Sequence, residues 1–213
     1  MIQGTRRQIL EFLKRRGSST VDELAGTLEL APMTMRQHLA LLERDSLVAS
    51  VEVRGAKGRP HLSYRITDFG EDVFPNGYSR LAERVLREVM ELQVEDVLGR
   101  SGEEKTMLLL RRVADRMADA YASRLEGKTL EDRLADALQI MRDEGGQPEW
   151  ERTESGIYHI SDYNCPYLRV VRAIPYVCTW HVRFLTRMLN TKVVRTKSRD
   201  EDGLCCVHAV EPR

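Results

Sequence analysis

Cysteine is absent from the first 164 residues of this chain, and all four cysteines lie in the last quarter. This absence excludes a disulfide framework as the basis of the fold, and 213 residues are enough to bury a core without one. The chain also lacks any Cys-x-x-Cys pair. The spacing typical of zinc fingers and thioredoxin-like redox sites is therefore missing.

Long apolar runs are missing as well. No stretch reaches the ~18 apolar residues that a membrane span requires, and the N-terminal MIQGTRRQILEFLKRRG lacks the apolar core and cleavage site of a signal peptide. We therefore expect a cytoplasmic protein with no membrane partner, in which thiols stay reduced. The composition, 42% hydrophobic and 31% charged, is typical of a soluble and helix-rich protein.

The formal net charge of zero conceals an asymmetry. Residues 1–65 contain eleven Lys or Arg and seven Asp or Glu, a net charge of +4, so the rest of the chain carries −4. A basic N-terminal segment on an acidic body suggests a polyanion as partner.

Three helices and a hairpin are predicted in the first 74 residues. Apolar spacing indicates a helix in GTRRQILEFLKRRG, a capping box in TVDE begins a second, and Pro32 opens a third in PMTMRQHLALLERDSLV. The alternating runs SVEVR and HLSYRI predict two strands around a basic, glycine-rich tip, GAKGRP. The alternation is expected to bury Val51, Val53, Leu62, Tyr64 and Ile66. This order of elements is that of a winged helix-turn-helix.

The outer face of the third helix carries side chains that suit a DNA major groove, since Arg can bind guanine and Gln adenine. Basic residues in the hairpin tip suit phosphates or the minor groove. The candidate DNA contacts are Thr34, Arg36, Gln37 and His38 on the helix, and Arg54, Lys57 and Arg59 in the tip. His38 either reaches a phosphate or packs near the second helix. A winged helix used for protein contact is the alternative.

The predicted fold class is α+β, in three parts: a winged helix over 1–74, a helical linker and dimerisation region over 75–146, and an α/β domain with hairpins and short helices over 147–213. Apolar residues follow one stripe of the long helix after Pro75: Leu81, Val85, Val89 and Leu92. This stripe is either a homodimer seam or a packing face within one subunit. A homodimer suits a palindromic double-stranded DNA operator, where recognition helices lie ~34 Å apart.

Cys165, Cys178 and Cys206 lie at the ends of short predicted elements, and Pro166 follows Cys165 as in Cys-Pro ligand contexts of iron–sulfur proteins. Cys205 and Cys206 point to opposite faces of one strand, so we interpret Cys205 as a core residue. The residues alone leave a soft-metal or iron–sulfur site and a structural role of the cysteines equally open. An enzyme that pairs Cys178 with His181 is disfavoured, because no orienting carboxylate is near in sequence.

The segments NCPYLRVVRAIPYVC, FLTRMLNTKVVRT and GLCCVHAV together resemble the C-terminal part of SufR-type regulators. These are winged-helix repressors related to the ArsR and DeoR groups, and they bind an iron–sulfur cluster. LAPMTMRQHLALLERDSLV, GRPHLSYRIT and FPNGY are similar to the DNA-binding and linker segments of the same family. The resemblance therefore covers nearly the whole chain.

The resemblance implies that Cys165, Cys178 and Cys206 bind an iron–sulfur cluster, with 4Fe-4S favoured over 2Fe-2S. It further implies a non-enzymatic regulator that represses iron–sulfur assembly genes while the cluster is present. The alternative is a winged-helix regulator whose C-terminal domain binds zinc or a small effector.

The fourth ligand is not assigned by the resemblance. Some members have a further cysteine, which would fall near Lys192, where this chain has none. His181 is our first candidate, because on a helix it shares a face with Cys178. Cys205, His208, His159 and a non-protein ligand remain open.

Overall fold

The computed structural model describes residues 3–53, 61–199 and 204–212. The chain divides into two compact units, Met1–Pro75 and Asn76–Arg213. The first unit contains α1 (Thr5–Arg16), β1 (Ser18–Thr20), α2 (Val21–Thr27), α3 (Pro32–Arg44), β2 (Val48–Val53), β3 (His61–Ile66) and α4 (Asp68–Glu71).

Local signals in the sequence position the three long elements of the first unit. Thr20 and Glu23 form the predicted capping box, in which the Glu23 amide donates to the Thr20 hydroxyl at 3.3 Å and the Thr20 amide donates to the Glu23 carboxylate at 2.8 Å. Pro32 occupies the first turn of α3, where its missing N–H costs no hydrogen bond. The predicted order of helices and hairpin is confirmed.

The hairpin extends beyond the core that the helices cover. Its strands form an antiparallel sheet in the order β1-β3-β2, and β1 was not predicted. Val48 and Tyr64 are buried, but the prediction that Val51, Val53 and Leu62 are buried is wrong, because these three lie on the outer half of the hairpin and are exposed. Their alternation reflects strand propensity rather than burial.

The second unit contains seven helices, one 3₁₀ turn and four strands within the described residues. They are α5 (Tyr78–Met90), α6 (Val94–Val97), α7 (Gly102–Asp119), α8 (Ala122–Leu125), α9 (Leu130–Asp143), β4 (Pro148–Arg152), β5 (Tyr158–Asp162), α10 (Leu168–Ala173), the 3₁₀ turn (Pro175–Cys178), α11 (Thr179–Leu189), β6 (Val193–Lys197) and β7 (Cys206–Val210). The strands form an antiparallel sheet in the order β4-β5-β7-β6.

One hydrophobic core runs through the whole second unit. It joins Leu81 of α5 and Leu134 of α9 to Ile160 of β5 and Val210 of β7. The boundary between the predicted parts 75–146 and 147–213 stays a prediction, and the residues of both parts lie in one compact unit. The overall class is nevertheless α+β, as predicted.

The predicted stripe on α5 divides between two environments. Leu81 is buried and Val85 packs against the same core, so this part of the stripe serves the chain's own packing. Val89 is exposed, together with Leu86 and Met90. No helix in the described part of the chain is both long and apolar enough to cross a membrane.

Candidate functional site: a DNA-reading face and a thiol site

The outer face of α3 is open to solvent. Met35, Leu39 and Leu42 are fully buried on its inner side, which leaves Arg36 and Gln37 exposed and Thr34 half-buried. The first turn of α3 contains no acidic residue, so the positive end of the helix dipole is not neutralised by its own side chains. The face thus offers base-reading side chains beside a helix end that favours phosphate.

The end of α3 is tied to the hairpin that follows it. Glu43 accepts hydrogen bonds from the Ser50 amide at 3.2 Å and the Ser50 hydroxyl at 2.6 Å. These bonds hold the direction of the helix relative to the first strand of the wing. The wing-tip candidates Arg54, Lys57 and Arg59 lie outside the described residues.

His38 lies closer to the core than the other helix candidates. Its side chain is half-buried, and its Nδ1 atom is buried without a hydrogen-bond partner in the described chain. This placement corresponds to the packing interpretation of His38 rather than to a phosphate contact.

Three cysteines from three separate elements converge in the second unit. Cys165 lies in the loop after β5, Cys178 ends the 3₁₀ turn at the start of α11, and Cys206 is the first residue of β7. Each is half-buried, and burial first, then the nearby Cys206 and Cys178, raise the pKa of the Cys165 thiol. The three thiols therefore lie within electrostatic reach of one another. Cys205 is buried, as its interpretation as a core residue requires.

Asp162 shapes the loop that carries Cys165. It is buried, and its carboxylate accepts hydrogen bonds from the backbone amides of Gln147 at 2.7 Å and Asn164 at 3.1 Å. The antiparallel register places Asp162 directly opposite Cys206. The turn at Asp162 therefore brings the Cys165 loop to the end of β7.

Burial keeps the Cys165 and Cys206 thiols protonated when no metal is bound. Burial is the main cause that raises the pKa of Cys165 well above its ordinary range, and it raises the pKa of Cys206 to about 11. Two backbone amides oppose this rise: that of Tyr167 at the Cys165 sulfur, and that of Arg199, which donates to the Cys206 sulfur at 3.4 Å. Both amides would favour a thiolate over a thiol.

Two histidines lie on the elements that carry Cys178 and Cys206 or follow them, and they contact each other. His181 of α11 stacks on Trp180, with ring centroids 5.3 Å apart, and meets the ring of His208 edge-on at 5.4 Å. Burial lowers the pKa of His181 to about 4 and that of His208 to about 3. Both imidazoles are therefore neutral at pH 7. His159 lies on the other face of the sheet, because Ile160 rather than His159 is opposite His208.

No three His, Cys, Asp or Glu side chains among residues 3–53, 61–199 and 204–212 are grouped so as to hold a single metal ion. The ligands of one zinc ion all contact the same atom, whereas each thiolate of a cluster binds a different iron. Cluster ligands consequently lie further apart than the ligands of a single ion. The three thiols have the donor chemistry of a soft-metal or cluster site.

A cavity of about 320 Å³ lies between α5 and α7. Four arginines line it, and they bond four carboxylates: Arg80 and Arg84 bond Glu144, Arg87 bonds Glu83, and Arg116 bonds Glu88 and Glu91. The positive charge of the cavity wall is therefore already balanced by the protein. The cavity has the volume of a small-molecule site, but its arginines do not require an anionic effector.

Several residues around the thiols were not found by sequence reasoning. Asp162 and the amides of Tyr167 and Arg199 act through backbone geometry, which has no residue-type signature. A signal for Asp162 existed in SDYNCP, because Asp and Asn before a cysteine are typical of turns. His208 was left open as a ligand in the sequence analysis; it is two residues after Cys206, and strand alternation places both on one face.

A helix-turn-helix domain family matches residues 1–51 of the chain. The first unit is therefore a helix-turn-helix domain of the winged-helix type, the kind of domain with which transcriptional regulators bind DNA. No protein of curated function matches the chain.

Two solved structures are similar to parts of the chain. One is a transcriptional regulator homologue from Pyrococcus horikoshii OT3, with 34% identity over 30% of this chain and 63% of that one, at a TM-score of 0.28. The other is the adhesin competence repressor from Streptococcus pyogenes, with 16% identity over 59% of this chain and 84% of that one, at a TM-score of 0.31. The similarity thus spans less than two thirds of the Pyrococcus protein.

In the metal-free protein, Cys206 is expected to react with iodoacetamide far more slowly than the same residue in the unfolded chain. A thiol with a pKa of about 11 carries about a hundredfold less thiolate at pH 8 than a thiol at its ordinary value. The rate should rise with pH up to that pKa. Mass spectrometry with fragmentation separates Cys206 from Cys205, and equal rates in folded and unfolded protein would contradict the burial of Cys206.

Proposed function

We propose that this protein is a dimeric, DNA-binding transcriptional repressor that holds an iron–sulfur cluster on Cys165, Cys178 and Cys206. It controls iron–sulfur assembly genes according to whether the cluster, 4Fe-4S in preference to 2Fe-2S, is present. The observation that carries the proposal is the convergence of three thiols, from three separate elements, in the unit attached to a helix-turn-helix domain.

The resemblance to SufR-type regulators favours a cluster over the zinc alternative. The three sulfurs lie in mutual electrostatic reach. Backbone amides at Cys165 and Cys206 supply the N–H···S hydrogen bonds that stabilise thiolates around iron–sulfur centres. When bound, the cluster would link the three segments that carry the cysteines. Loss of iron or oxidation of the cluster would break this link.

The Cys165 loop also contacts the beginning of α5. The Gly77 amide donates to the Pro166 carbonyl at 3.0 Å, and an added Cβ on Gly77 would lie 2.6 Å from the Tyr167 ring. Gly77 comes two residues after Pro75, where the winged-helix unit ends. A displacement of the Cys165 loop would therefore act on the first residues of α5, which follow the winged-helix unit in the chain.

The dimer proposal is supported by an exposed apolar surface on α5, α6 and the turn after them. Its residues point away from the chain's own core, and Met90 is 86% exposed. The surface consists of Leu86, Val89, Met90, Val94 and Leu98. A second copy of the chain would cover this surface and supply the second recognition helix for a palindromic operator.

Protein purified without oxygen is expected to contain iron and acid-labile sulfide and to bind its operator more tightly than the metal-free protein. A coupling free energy of ordinary size between cluster binding and DNA binding corresponds to a change of about 5- to 150-fold in the affinity for the operator. Iron and sulfide analysis measures the cluster, and fluorescence anisotropy on operator DNA selected from random sequence measures binding. Equal affinity with and without the cluster would contradict the switch, and zinc without sulfide would support the zinc alternative.

The same assay separates DNA reading from folding. Arg36→Ala should weaken operator binding by about 1–3 kcal/mol in both cluster states. Arg111→Ala removes an exposed arginine of the second unit and is the matched control, expected to bind as wild type does. An unchanged affinity for Arg36→Ala would show that α3 does not read the operator.

Gly77→Ala is expected to reduce the difference in DNA affinity between cluster-bound and metal-free protein, while the iron content stays the same. The added methyl group displaces Tyr167 and weakens the link between the Cys165 loop and α5. Gly102→Ala is the control, because no heavy atom lies within 4 Å of its added Cβ. The transmission route is excluded if Gly77→Ala retains the wild-type affinity ratio.

The paired substitution Met90→Lys with Leu98→Lys is expected to convert the dimer to a monomer. It places two charges in a surface that would be desolvated when two copies associate. Sedimentation velocity measures the mass in solution. Val194→Lys, at an exposed apolar position on β6, is the control and should remain dimeric. A dimer that survives the paired substitution uses another surface.

A further inference from the structure

Three buried side-chain nitrogens in the described part of the chain have no hydrogen-bond partner: Nδ1 of His38, Nη1 of Arg195 and Nδ1 of His208. Two of them belong to a single cross-strand pair, because Arg195 on β6 is directly opposite His208 on β7. An unsatisfied buried polar atom costs about 1–3 kcal/mol. Such atoms in natural proteins call for an explanation, and a bound group is one.

This pair lies beside the thiols. His208 follows Cys206 by two residues on one strand, so both side chains leave the same face of the sheet, about 7 Å apart along it. Arg195 lies close enough for its charge to act on Cys206 and His208 alike. The two unpartnered nitrogens therefore adjoin the proposed cluster ligand Cys206.

The two nitrogens are complementary in what they offer. A neutral imidazole nitrogen without a proton presents a lone pair, which can bind iron. A guanidinium nitrogen only donates, and sulfur atoms of a cluster accept such hydrogen bonds. An iron–sulfur group at this place would satisfy both atoms at once, and the positive charge of Arg195 would offset part of the charge of three buried thiolates.

His181, the first candidate from the sequence, is placed less suitably. Its side chain is half-buried, its ring stacks on Trp180, and it lies nearly parallel to Phe184 at 6.5 Å between centroids. It also lines a separate cavity of about 20 Å³ together with Glu144, room for about one water molecule. His208 is only 1% exposed and has the unpartnered nitrogen.

We propose that Nδ1 of His208 is the fourth protein ligand of the cluster, beside Cys165, Cys178 and Cys206, and that Nη1 of Arg195 donates a hydrogen bond to the same group. This assignment rests on the proposed function, because it requires that the chain binds a cluster. It replaces His181 as the expected ligand and gives His181 a packing role against His208.

The test compares wild type with His208→Ala, His208→Cys and His181→Ala, each reconstituted without oxygen with iron and sulfide. Pulsed EPR of the reduced cluster detects the strong ¹⁴N coupling of a directly bound imidazole nitrogen. Wild type and His181→Ala are expected to show this coupling, and both His208 variants are expected to lose it. His208→Cys should retain the cluster at a lower reduction potential, because thiolate replaces imidazole.

The outcomes separate the ligand assignment from the function on which it rests. Wild-type protein that takes up no iron and sulfide overturns the proposed function, and the ligand assignment with it. A cluster without strong ¹⁴N coupling leaves the function standing and overturns the His208 assignment, with water or another group as fourth ligand. A coupling that persists in His208→Ala, or that disappears only in His181→Ala, overturns it as well.

If His208→Ala does not fold, its loss of the ¹⁴N coupling cannot be assigned to the missing ligand, so two further comparisons are made. The metal-free variants are compared with wild type by thermal unfolding, and His208→Cys retains a side chain able to bind iron. Arg195→Met is expected to keep the ¹⁴N coupling but to shift the reduction potential downward, because the site loses a positive charge and a hydrogen bond. An unchanged potential contradicts the role of Arg195.

Discussion

The pairing of β5 with β7 is the constraint on which the thiol site depends. Its register sets Asp162 opposite Cys206, and the Asp162 carboxylate then turns the chain so that Cys165 lies nearby. A shift by one residue would move Cys206 and His208 together to the other face of the sheet. Because one face of this sheet packs into the core, the hydrophobic pattern of both strands opposes such a shift.

The parts of the fold that depend on local chemistry were predictable from the sequence. The capping box at Thr20, Pro32 at the start of α3 and the hairpins at either end of the sheet each follow from neighbouring residues. Burial was less predictable, since alternation in SVEVR is the same whether a strand lies in the core or extends past it. Val51 and Val53 illustrate this limit.

The candidate site was predictable in its residue types but not in its geometry. The resemblance named three cysteines, and helical spacing favoured His181 because it considers only one element at a time. The position of His208 depends on a strand pairing between residues far apart in the chain, together with burial on both sides. Such long-range pairings have no signature in a single sequence, and neither do the amides that meet the sulfurs.

The hydrogen bond between Gly77 and Pro166 attaches the N-terminal end of α5 to the Cys165 loop. A tilt of the helix at this point is largest at its other end. The thirteen residues of α5 extend about 20 Å from this attachment point. A tilt of about 10° at Gly77 would therefore carry Met90, at the far end of the helix, through roughly 3 Å. A small displacement at the Cys165 loop would thus become a larger one at the exposed apolar surface.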